Sequence, residues 1–165
     1  MHAIRRAALG AVAVVFVAAS PSHAEHRHVP PHGGTLVELG PELAHVELVL
    51  DPHAGKLTAY VLDGEAENAV RIRARQLELS LRDVKRGPGF PVPPQGSKVV
   101  LEAIGNVLTG ETPGDTSQFE AETPTLTGVL AFQGALTRLE VRGAAFERVT
   151  FSFPAGNEPA GAGSR

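Results

Sequence analysis

Leucine and polar residues alternate without interruption from Gln76 to Arg82, where Glu78 and Ser80 separate Leu77, Leu79 and Leu81. The same period of two places Val70 and Ile72 between Arg71, Arg73 and Arg75, and Leu139 and Val141 between Arg138, Glu140 and Arg142. It returns where Val149, Phe151 and Phe153 alternate with Arg148, Thr150 and Ser152. Successive strand side chains point to opposite faces, so this pattern predicts strands with one buried and one wet face, the habit of antiparallel sheets. Further strands are predicted over 35–39, 43–50, 56–62, 98–104 and 126–132. Turn chemistry separates them at Gly40-Pro41, Asp51-Pro52-His53-Ala54-Gly55, Asp63-Gly64 and Gly143. No segment carries a helical period. The expectation is an all-β chain folded as a single antiparallel β-sandwich, Ig-like, over 35–153.

Two stretches break the alternation. Residues 86–97 (RGPGFPVPPQGS) are rich in Pro and Gly, and 109–125 are polar and acidic, with Glu111, Asp115, Glu120 and Glu122. Both are expected to be irregular connections, either ligand loops or plain sandwich crossovers. The Gly/Ala/Pro-rich segment 154–165 is expected to be a disordered tail.

The beginning of the chain changes the picture of where the domain works. Arg5 and Arg6 precede an uncharged apolar run, 7–19, and Ser22-His23-Ala24 offers small residues flanking a cleavage point. This is the layout of a secretory signal over 1–24, its apolar run shorter than the roughly 20 residues that span a bilayer. The mature protein is expected to start at Glu25, to carry no membrane span and to be periplasmic or secreted. The formal net charge is −3, and −5 without the two signal arginines. A mildly acidic domain with dispersed charge and few aromatics lacks the basic face that nucleic acid requires. There is no cysteine, so packing and hydrogen bonding must carry stability without disulfides.

The candidate chemistry is histidine. Beyond the signal, all five histidines fall early: His26, His28 and His32 in a leader and turn over 25–34, then His45 and His53. In a strand over 43–50, His45 and Glu47 share one face, roughly 6.5–7 Å apart along the chain. His32 lies in the Pro-Pro-His-Gly-Gly turn, whose glycines permit a close return over the sheet. His26 and His28 stand on the leader, while His53 with Asp51 has the character of a loop former. The candidate metal ligands are His32, His45, Glu47, His26 and His28. With no Cys, and the initiator as the single Met, soft sulfur ligation is absent; imidazole with carboxylate suits Zn(II), Cu(II), Ni(II) or Co(II), and Zn(II) or Cu(II) is the expected class. The spacing matches neither a zinc finger nor the H-E-x-x-H pattern, and exposed histidines near an N-terminus can equally be solvated surface.

Pro31-His32-Gly33-Gly34, the turn at Gly40, His45-Val46-Glu47-Leu48-Val49-Leu50 and Leu57-Thr58-Ala59-Tyr60-Val61-Leu62-Asp63 resemble a His-Gly-Gly segment near the N-terminus of some periplasmic adaptor subunits of heavy-metal efflux systems. The chain also resembles small exported bacterial proteins, through 114–119 and 146–154. The adaptor likeness spans about 31–63; the helical hairpin and barrel by which adaptors dock are missing, and Asn68-Ala69-Val70 stands where adaptors tend to have Lys-Pro. The resemblance implies a stand-alone periplasmic domain associated with divalent metals, with His32 the best-matched position, and not a pump role.

The expected function is therefore a non-catalytic metal-binding or metal-handling module, possible partners being periplasmic or envelope proteins and the connection being heavy-metal efflux or resistance. The alternative is a structural or protein-interaction β-sandwich of the envelope that holds no metal. An enzyme is not expected: no G-x-S-x-G elbow accompanies Ser117, the carboxylates are unpaired, and Gly87-Pro88-Gly89 leads into no helix.

Overall fold

The computed structural model describes residues 28–157; the expected signal 1–24, His26 and the end of the tail, 158–165, lie outside the described residues. Eight strands follow one another: β1 (Thr35–Leu39), β2 (Ala44–Asp51), β3 (Lys56–Asp63), β4 (Gln76–Arg86), β5 (Ser97–Ala103), β6 (Gln118–Glu122), β7 (Val129–Val141) and β8 (Ala144–Phe153). Among the described residues there is no helix. The fold is all-β and antiparallel throughout, as the alternation predicts.

Pairing differs from the expected two-sheet sandwich. The strands form one continuous sheet in the order β1-β2-β3-β6-β5-β4-β7-β8, whose outer strands β1 and β8 approach each other, so the sheet curls almost into a barrel. A period of two reports which face of a strand is buried but not which strands pair; a curled sheet and a sandwich therefore share one signature. The inward face is filled by side chains, among them Val46, Leu48, Leu57, Val61, Leu79, Leu101, Phe119 and Phe132, all at most 2% exposed.

The seam between β1 and β8 is closed by the start of the segment expected as tail. The Asn157 side chain behaves like a strand backbone: its Oδ1 accepts the Glu38 N–H at 2.7 Å and its Nδ2 donates to the Glu38 carbonyl at 3.1 Å. Thr35 Oγ1 donates to the Pro154 carbonyl at 3.1 Å. Gly156 sits so close to β1 that a β-carbon there would lie 2.3 Å from the Leu36 carbonyl oxygen. Residues 154–157 are thus docked onto β1, in contrast to the disorder expected for them.

Three further differences matter. Within 109–125, expected to be irregular, lies β6, between β3 and β5. The predicted strands around 126–132 and 138–142 are one long strand, β7. Residues 70–75 alternate but form only isolated bridges, Ile72 with Thr116 and, just before, Ala69 with Leu62. Val70, Ile72 and Ala74 still pack on the core.

The turn before β6 is held by one carboxylate. Glu111, its side chain 8% exposed, accepts from the Ser117 N–H at 2.8 Å, Ser117 Oγ at 2.6 Å and Thr109 Oγ1 at 2.7 Å. Burial opposes its ionisation, but the bonds from Ser117 and Thr109 and the Arg71 charge outweigh burial and lower its pKa. A depressed folded value means stability that is complete above the unfolded Glu range, about 4.3, and is lost as pH falls through the folded value. Glu111→Gln is expected to cost about 1–2 kcal/mol at neutral pH. The variant and the wild type should converge as urea-unfolding measurements are carried down towards pH 3; an unchanging gap would show that the charge contributes nothing.

Candidate functional site

The outward face of β1, β2 and β3 is where the candidate residues meet. Register aligns Glu38 with His45 and Leu62, and Leu36 with Glu47 and Tyr60. This face is not wet. Leu36, Leu62 and Ala66 form a second small apolar cluster with Tyr60 against it, and His45 and Glu47 are both 0% exposed. The solvent-facing pair that alternation allows for His45 and Glu47 is therefore buried.

A buried carboxylate must be satisfied by donors. Glu47 is satisfied by the Pro-Pro-His-Gly-Gly turn: its Oε1 accepts the His32 and Gly34 backbone N–H groups, each at 2.8 Å, and its Oε2 faces His32 Nδ1 at 2.7 Å. Gly34 is required by this approach, because a β-carbon there would lie 2.6 Å from the Leu48 carbonyl oxygen and 2.9 Å from Glu47 Cγ. The His32 ring, with its side chain 42% exposed, stacks on Tyr60 with centroids 3.8 Å apart and planes 10° from parallel. Burial, then the Glu120 and Glu47 carboxylates, raise the pKa of the Tyr60 hydroxyl. Tyr60 was not among the sequence candidates, although it is the chain's single tyrosine and lies opposite Glu47.

His45 Nδ1 lies 3.1 Å from the Asp63 carbonyl oxygen, and the His28 ring packs on His45 with centroids 4.6 Å apart at 56°. An Nδ1 facing a carboxylate or carbonyl oxygen carries a proton and donates it, which fixes the orientation of the ring. Both His32 and His45 are so oriented, by Glu47 and by the Asp63 carbonyl. This is the arrangement in which imidazole ligates metals, with an oxygen acceptor fixing the ring and its tautomer.

The candidates thus divide. His28, His32 and His45 gather on one outer face. Glu47 has its oxygens engaged by the turn, one of them facing the His32 ring. His53 is at the far end of β2, roughly 25 Å along the strand from His45, where its N–H and that of Ala54 donate to Asp51 at 2.9 and 3.1 Å. Among the described residues no group of three or more His, Cys, Asp or Glu is arranged to hold a metal ion.

Comparison with known proteins yields no relative: no family model matches the chain, and no curated protein or solved structure matches it. The class the fold and site define is an all-β domain of one nearly closed eight-stranded sheet, with an N-terminal turn anchored on its outer face.

Proposed function

We propose that the protein is a non-catalytic metal-binding module of the periplasm, of the Zn(II) or Cu(II) class, serving heavy-metal handling or efflux. The observation that carries this reading is the matched orientation of His32 and His45, each presenting Nδ1 to an oxygen acceptor. The donor set fits: borderline metals take neutral imidazole nitrogens, and no sulfur competes. Two rings on one tetrahedral ion stand with centroids roughly 5 Å apart, given Zn–N bonds near 2.0–2.1 Å; the 4.6 Å between His28 and His45 is close to that. His32, held on the same face by Glu47, is the third candidate ligand, and His26 is a further one.

Calorimetric titration of the untagged protein with Zn(II) and with Cu(II) tests the proposal. Stoichiometric binding is expected, weakened at least tenfold in His45→Ala and in His32→Ala. A metal at a hundred times its dissociation constant should add about 2.7 kcal/mol to the unfolding free energy. Absent binding, or binding unchanged in both variants, defeats the reading.

One observation favours a second reading. The bonds from His32 and Gly34 to Glu47 hold the turn to the sheet, as a structural or protein-interaction domain of the envelope would need. On that reading an envelope partner is captured equally with and without chelator.

A further inference from the structure

Val107 and Leu108, 97% and 96% exposed, are the most exposed large apolar side chains among the described residues, and they are adjacent at a loop tip. The loop is not slack. Asn106 and Glu111 pair by backbone bonds of 3.0 and 2.9 Å, the Leu108 N–H donates to Asn106 Oδ1 at 3.0 Å, and Glu111 grips Thr109 and Ser117. Among the described residues nothing covers this apolar pair.

An arginine-bearing stretch is tied to this tip through Arg71. Because Val70, Ile72 and Ala74 pack on the core, Arg71, Arg73 and Arg75 are the exposed members of the stretch. Arg71 donates to the Thr109 carbonyl, and a β-carbon at Gly114 would lie 3.8 Å from Arg75 Cγ. Arg71 is balanced by Asp115 at 3.7 Å and Glu111 at 4.0 Å. Arg73 and Arg75 make no ion pair among the described residues.

We propose that the 106–111 tip, together with the exposed Arg73 and Arg75 of the neighbouring stretch that Arg71 ties to it, is a peripheral contact for an anionic lipid surface. Two apolar side chains are far short of the roughly 800 Å² per partner that a specific protein interface buries. They suit the headgroup boundary, where they leave water while neighbouring arginines meet anionic lipid. No helix of the described residues is long and apolar enough to cross a membrane.

Co-sedimentation with vesicles of phosphatidylglycerol mixed with phosphatidylcholine, against phosphatidylcholine alone, is the test. Wild type, Val107→Ser/Leu108→Ser and Arg73→Glu/Arg75→Glu are prepared from one host, so that their N-termini are identical. Wild type should bind the anionic vesicles and release them as salt rises. Each double variant should bind at least about thirtyfold more weakly, the factor that two basic residues near the surface supply and that two inserted apolar side chains match or exceed. Chelator should change nothing, which separates this contact from the metal site. The proposal is overturned if wild type binds neither vesicle or both equally, if the variants bind as wild type does, or if binding requires metal. All four positions are exposed, and circular dichroism with a melting curve checks that the variants fold.

Discussion

Glu47→Ala is expected to lower the unfolding free energy by about 2–4 kcal/mol and to free the turn that carries His32. Three donors lose a charged acceptor, each such bond being worth about 1.5–3 kcal/mol. The loss is partly offset because a carboxylate is no longer held out of water. Urea unfolding should stay cooperative, since the inward core does not involve this face, while the His32 and Gly34 amides lose protection from hydrogen exchange. A cost below about 0.5 kcal/mol, the range of an ordinary surface substitution, with those amides still protected, would show that the carboxylate does not hold the turn.

The isosteric variant separates anchoring from ligand orientation. In Glu47→Gln an amide oxygen can still accept from the His32 and Gly34 N–H groups, but an amide N–H then faces His32 Nδ1. That nitrogen must become the acceptor, and the ring proton moves to Nε2. The fold would be largely kept while the nitrogen assigned to metal is blocked. A drop of about 10–100-fold in metal affinity is the usual effect of losing such an orienting group. Unchanged affinity would mean that His32 does not ligate through Nε2, whatever the fate of the fold.

What the chain discloses in advance follows from what alternation encodes. The positions of β1, β2 and β3 were legible almost to the residue, because turn-forming Gly, Pro and Asp bracket them. The burial of His45 and Glu47 was not, because polar positions on an alternating strand are read as wet. The missed signal was present: Leu36, Tyr60 and Leu62 lie on the same face as that polar pair, out of phase with the inward set. Apolar residues on a supposedly solvated face imply a cover, here the turn ending in Gly34. The pairing order lay beyond local pattern, since contacts such as Glu38 to Asn157 join residues 119 positions apart.

β6 is the sharpest test of that lesson. Its sequence is short, with two acidic residues among five, and it was expected to be loop, yet it joins β1-β2-β3 to β5-β4-β7-β8. Phe119 is 0% exposed and pairs with Ala59 on one side and Ala103 on the other, so two small residues flank one large ring. Phe119→Ala is expected to cost about 3–5 kcal/mol, because neighbours that are already alanines cannot collapse into the vacated space. For a domain of this size that lowers the melting temperature by roughly 10–20 °C, measurable by circular dichroism. Removing a phenylalanine from a surface loop would cost under about 1 kcal/mol, and such a result would refute a central β6. The loss should also promote self-association on partial unfolding, because a loosened β6 leaves β3 and β5 as bare edges with unpaired backbone groups.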